Sequence, residues 1–159
     1  MTDTKEELAA LLEKGGVYRE LKGKTPREVL SSLIAALPAI PSVPAENLLE
    51  AMMEREALMT TGIGRGLALP HPRNPLVQSE DAQFAAIAFL EHPVDWNSLD
   101  GRQVDTLLLI ISASAKQHLQ TLSKINFFCR QEGFCKLLEK RASKEELLQF
   151  IRDAEKNWN

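Results

Sequence analysis

Two apolar runs, Gln83 to Leu90 and Val104 to Ser112, constrain the fold more than anything else in the chain. Each has the length of a strand, and between them they carry one charged residue, Asp105. A strand with one wet face alternates apolar and polar residues, whereas a run that is apolar at nearly every position needs cover on both faces. The two runs therefore read as central strands of a buried sheet, and helices have to supply the cover. A third, shorter strand candidate is Gly66 to Leu69, and Asp95 to Gly101 reads as a tight connection between the two long runs.

The helical patterns are present. Lys5 to Lys14 carries Leu8, Leu11 and Leu12 at helical spacing and stops at Gly15-Gly16, which reads as an N-terminal helix or linker, or a lid, over residues 1–16 ahead of a domain at 17–159. Thr25-Pro26-Arg27-Glu28 supplies an N-cap, a proline at the first helical position and a capping-box glutamate, which predicts a helix from Pro26 to Leu37. After the stiff PAIPSVP connection, Ala45 to Leu58 is helical again, with Arg55 near its end. Ser114 to Gln117 is a second capping-box pattern, predicting a helix that turns Leu119, Leu122, Ile125 and Phe128 inward and holds His118 in its first turn. Glu132 to Leu138 and Ser143 to Ala154 complete the set. At 159 residues and 44% hydrophobic composition, the chain suits one α/β domain.

The chemistry concentrates between Thr61 and Pro72. Gly62, Gly64 and Gly66 alternate with Ile63, Arg65 and Leu67, so the backbone can turn tightly before a short apolar strand begins. Pro70 and Pro72 then restrict φ on both sides of His71 and withhold amide donors, which ends the ladder and stiffens the histidine. A rigid imidazole at a strand end suits a reaction in which imidazole is the nucleophile. On spacing alone, a surface histidine in a Gly/Pro turn reads equally well.

Arg55-Glu56-Ala57-Leu58, Thr61-Gly62-Ile63-Gly64 and Leu67-Ala68-Leu69-Pro70-His71 together resemble the signature of the fructose/mannitol-type IIA (EIIA) domains of the bacterial phosphotransferase system (PTS), a family that includes a nitrogen-regulatory, PtsN-like branch. Downstream, Leu90 to Pro93, Val94-Asp95-Trp96, Leu99-Asp100-Gly101, Val104 to Ile111 and His118-Leu119-xx-Leu122 continue the resemblance, which spans about Val17 to Ala154. It implies a mixed β-sheet flanked by helices on both sides. It also implies that His71 accepts a phosphoryl group from a histidine phosphocarrier protein (HPr/NPr), for regulatory signalling or for relay to a IIB component in sugar uptake. The implied class is a phosphotransferase, a protein phosphohistidine carrier. The resemblance places a second histidine, His118, and an arginine, Arg55, beside the phosphorylated one. Arg73 and Arg65, nearer in sequence, are weaker candidates for phosphate or partner contact. Many members follow the active histidine with glycine, whereas here Pro72-Arg73-Asn74-Pro75 follows, which bears on the docking rim. The rival reading is a protein-binding module that keeps the fold without turning over phosphate.

Other classes fit less well. A net charge of −3 and scattered Lys and Arg give no basic footprint for nucleic acid. No apolar run is long enough to span a bilayer and Met1 to Ala10 has no signal-peptide core, so the expected location is the cytoplasm. Cys129 and Cys135 read as reduced thiols. The histidines His71, His92 and His118 lack ligand spacing for zinc, and His92 reads as a surface residue. Thr61 to Gly66 lacks the Lys-Ser/Thr of a P-loop and leads into a strand, so no nucleotide or other cofactor is expected and the donor is a protein.

Overall fold

The computed structural model describes residues 7–157, and among them a five-stranded sheet lies between two groups of helices. In chain order the elements are α1 (Leu8–Gly15), β1 (Val17–Leu21), α2 (Pro26–Ala36), α3 (Ala45–Leu58), β2 (Gly62–Gly64) and β3 (Leu67–Ala68). After a single 3-10 turn at Glu80–Ala82 come β4 (Phe84–Val94), β5 (Val104–Ile111), α4 (Ala115–Cys129), α5 (Glu132–Glu139) and α6 (Lys144–Lys156). The strand order is β1-β4-β5-β3-β2. β4 and β5 are antiparallel, with Phe84 opposite Ile111 and Phe89 opposite Thr106, while β1 runs parallel to β4 and β3 parallel to β5. The sheet is mixed and its two long apolar strands are central, as their composition requires.

Alternation persists inside the apolar runs, but it sorts residues between two cores instead of between core and water. Ala85, Ile87 and Phe89 of β4, with Leu108 and Ile110 of β5, face α1, α4, α5 and α6. Phe84, Ala86, Ala88 and Leu90, with Leu107, Leu109 and Ile111, face α2 and α3. Each fully buried Leu, Ile or Phe contributes roughly 1.5–3 kcal/mol relative to exposure.

The structure refines the sequence reading at four points. Of the readings open for the N-terminal segment, Leu8 to Gly15 takes the helical one and packs into the domain: Leu8, Leu11 and Leu12 lie in the core, and Gly15 passes so close to β4 that a Cβ would stand 1.9 Å from the Ala85 carbonyl oxygen. Lys5 and Glu6, also read as helical, lie outside the described residues. β1 was not expected; it is a short edge strand whose Arg19 and Glu20 are exposed, so its pattern is too polar to stand out. The strand at Gly66 to Leu69 is one arm of a tight hairpin, β2 to β3, turned through Arg65 and Gly66 at positive φ. Leu119, expected inside, is 62% exposed, and Thr121 takes a buried place on α4 instead.

The capping boxes are realised unevenly. Ser143 and Glu146 close the full reciprocal pair at α6. Thr25 and Ser114 each cap the amide three residues on, but Glu28 accepts from Lys24 and Gln117 donates to Glu80, so their side chains leave the box.

Candidate active site

The β2–β3 hairpin delivers His71, and the first turn of α4 delivers His118, so that the two rings lie with centroids 4.4 Å apart and planes inclined at 46°. The Leu69 amide donates to the Thr61 carbonyl at 3.0 Å, and the Ile110 amide of β5 donates to the Pro70 carbonyl at 3.3 Å. The chain is thereby pinned from both sides immediately before the histidine. His71 Nδ1 then stands 2.7 Å from the Leu69 carbonyl oxygen. A carbonyl oxygen only accepts, so Nδ1 carries the proton and Nε2 keeps its lone pair. The tautomer follows from a backbone contact two residues away.

Both imidazoles are held neutral at physiological pH. Burial pushes His71 below the ordinary histidine range; the hydrogen bond to Leu69 pulls back, and the Arg55 charge pushes down again. His118 is pushed down to about 4, first by burial, then by the adjacent His71 and by Arg55. Arg55 is therefore near enough to bear on both rings. Its guanidinium is steadied by a 2.6 Å hydrogen bond from Nη1 to the Met59 carbonyl at the end of α3. One neutral ring with a free Nε2, a second neutral ring able to donate, and a fixed cation make a set suited to receiving a phosphoryl group.

The weaker candidates separate. Arg73 lines a mostly apolar groove of about 240 Å³ together with Pro72, Pro75, His118 and Leu119, on the open side of the site. Arg65 lies elsewhere: its Nη1 is 3.9 Å from Cys135 Sγ, and it borders a different cleft with Arg102, Asp105 and Glu139. His92 sits on the outer part of β4, with 80% of its side chain exposed and Glu91 as its neighbour. Among the described residues no three His, Cys, Asp or Glu side chains converge as a metal cluster would require. Cys129 and Cys135 are free thiols; burial pushes Cys129 up to about 12.

Sequence reasoning assigned no role to Glu56 or Thr61. Glu56 Oε1 accepts from the Thr61 amide at 3.0 Å, and its Oε2 accepts from the Thr61 hydroxyl. Thr61 Oγ1 in turn accepts from Trp96 Nε1 at 3.3 Å. The only signal in the sequence is that both residues belong to the runs that carry the family resemblance.

A mixed sheet between two helical layers thus presents two adjacent imidazoles, one just past the end of β3 and one in the first turn of α4. The family model described as phosphoenolpyruvate-dependent sugar phosphotransferase system, EIIA 2, matches residues 10–154, and the chain belongs to that family. Within it, the chain is 31% identical over 157 residues to a nitrogen regulatory protein of Escherichia coli K12, covering 96% of this chain and 94% of the relative. Its fold is that of the nitrogen regulatory protein IIA-Ntr from Neisseria meningitidis, with a TM-score of 0.77 at 23% identity over 90% of this chain and 97% of the other. It also matches the IIA mannitol chain in a complex with phosphorylated enzyme IIB mannitol from Escherichia coli, with a TM-score of 0.63 at 19% identity, covering 86% and 94%. No helix among the described residues is long and apolar enough to cross a membrane.

Proposed function

We propose that this protein is a phosphoryl carrier that accepts a phosphoryl group on Nε2 of His71 from a phosphohistidine of a small carrier protein of the HPr/NPr kind, in the cytoplasm. The observation that carries this reading is the hold of the Leu69 carbonyl on His71 Nδ1, which leaves Nε2 unprotonated and aimed from a rigid strand end. The Nε2 lone pair forms the new N–P bond as the donor's N–P bond breaks, and the donor imidazole recovers its lone pair. No proton needs to leave His71, because Nδ1–H stays on Leu69. Arg55 balances the charge on the phosphoryl oxygens, and His118 donates one hydrogen bond to them while its low proton affinity keeps it from competing as a cation. Arg73 and the apolar groove beside His118 form the rim against which a donor or acceptor protein docks.

The full-length match to a nitrogen regulatory protein supports a regulatory role, in which phosphorylation adds charge at a partner-binding face. The complex of a similar fold with a IIB protein supports relay to a IIB component as the second reading.

Incubation with phosphoenolpyruvate, enzyme I and a histidine phosphocarrier, followed by intact-mass analysis, tests the proposal. One acid-labile phosphoryl group is expected, absent in His71→Ala. In His118→Ala the attachment remains and transfer slows roughly tenfold or more, the loss of one charge-directed donor. Labelling that survives in His71→Ala would move the acceptor elsewhere, and no labelling with several carriers would favour the binding-module reading.

A further inference from the structure

The carboxylate of Glu56 is the first link of a hydrogen-bonded chain that ends on the nucleophile. Glu56 grips Thr61 by both its amide and its hydroxyl. The Thr61 carbonyl accepts from the Leu69 amide, and the Leu69 carbonyl accepts from His71 Nδ1. Thr61 is 4% exposed, so water is not at hand to replace a lost partner. The preceding residue on the same helix is Arg55, whose charge bears on both imidazoles. Two consecutive residues at the end of α3 therefore reach the site by different routes: one brings the cation, and the other fixes the hairpin that carries the histidine.

We propose that Glu56 is a positioning residue for His71, setting the tautomer of the imidazole through Thr61 and Leu69. The inference rests on His71 being the phosphoryl acceptor for its consequence in transfer, but not for its consequence in tautomer. A bidentate carboxylate suits the task because the Thr61 amide and hydroxyl are both donors, and a carboxylate offers one acceptor to each. In Glu56→Gln the amide oxygen can take the Thr61 amide while the NH2 donates to Thr61 Oγ1, so the grip survives in modified form. In Glu56→Ala it is lost, and in Glu56→Asp the carboxylate is a methylene too short to meet both donors.

The test is the ¹⁵N spectrum of His71 in the full chain at pH 7.5, alongside the transfer rate from a phosphorylated histidine carrier. The wild-type imidazole is expected wholly as the Nδ1–H tautomer. Glu56→Ala should show a mixture of tautomers and a transfer rate lower by roughly ten- to a hundredfold, the scale of a misplaced reacting group. Glu56→Gln should restore both most of the way. If the alanine variant does not fold, as judged by circular dichroism, Glu56→Asp replaces it, with a mixed tautomer and an intermediate rate expected. A variant lacking the grip that keeps a pure Nδ1–H tautomer and a rate within twofold of wild type overturns the proposal. A wild-type protein that takes no phosphoryl group on His71 overturns the functional reading instead, and leaves the tautomer result to decide the role of Glu56.

Discussion

Neither imidazole of the site can take a proton without loss, and that makes the fold itself sensitive to acid. His118 binds a proton much more weakly when folded, with its pKa at about 4, than in the unfolded chain, where it lies near 6.5. The unfolded state therefore takes up more protons as the pH drops. The stability linked to His118 is complete above pH 6.5 and is lost progressively as the pH falls towards 4. His71 contributes in the same sense. Discounted for solvent screening in a half-buried site, the loss is about 2 kcal/mol. Urea midpoints measured from pH 7 to pH 4.5 should show it, and His118→Asn should flatten the slope; a variant as acid-sensitive as the wild type would rule out His118 as its source. Arg55 acts on the same groups from outside. Because its charge lowers both histidines, Arg55→Ala should raise the titration midpoint of His71 and of His118 together in an NMR pH series. A shift in one ring alone would mean that the guanidinium faces only that ring.

The N-terminus of α1 shows how elements distant in sequence complete one another. Glu7, the N-cap residue of α1, makes no side-chain cap. The cap comes from the other end of the chain: Glu155 of α6 accepts from the Leu8 amide at 2.8 Å and the Ala9 amide at 3.1 Å, and from Lys124 of α4 at 2.7 Å. A carboxylate at a helix start meets both the free amides and the positive end of the dipole, and this one is almost wholly buried. Glu155→Ala removes the shared acceptor of three donors and should cost about 3 kcal/mol in chemical denaturation, the range for breaking a buried ionic contact from one side. A loss below about 1 kcal/mol would show that water or a neighbour takes over the cap. Nothing in the sequence announces this contact, because Glu155 reads as one more acid on an amphipathic helix. What was legible is local. Pro26 after Thr25, Ser143 before Glu146 and the apolar runs of β4 and β5 each specify an element through neighbours in the chain. β1, the outward turn of Leu119 and the Glu56–Thr61 grip depend on partners that the chain brings near only when folded. The candidate site divides along the same line: that His71 and His118 lie side by side is what the family resemblance implies, whereas the placing of Arg65 beside Cys135 depends on the hairpin that turns at that residue.

At the scale of the molecule, the chemistry stands at the boundary between a rigid interior and a loosely held edge. β4, apart from its exposed Glu91 to Pro93, and β5 are buried on both faces and hold the sheet together, whereas β2 is a three-residue strand at the sheet's edge, paired with β3 alone. Local opening should therefore cost little at β2 and nearly the full unfolding free energy at the centre. His71 draws on both sides. The Pro70 carbonyl is tied to β5 through Ile110, while the Leu69 amide is tied to Thr61 at the start of the edge hairpin. If the group is carried as proposed, its added charge meets Arg55 and His118 outside the two cores, so the response should stay near the surface. Amide hydrogen exchange should be slowest at Ala85 to Phe89 and Leu107 to Ile110, and fast at Gly62 to Gly66. Phosphorylation should slow exchange at Leu69, His71 and the first turn of α4 while leaving the central strands unchanged. Spread of the change into β4 would mean that the phosphoryl group is sensed through the cores, and that a partner could read it on the α2 and α3 face as well as at the site.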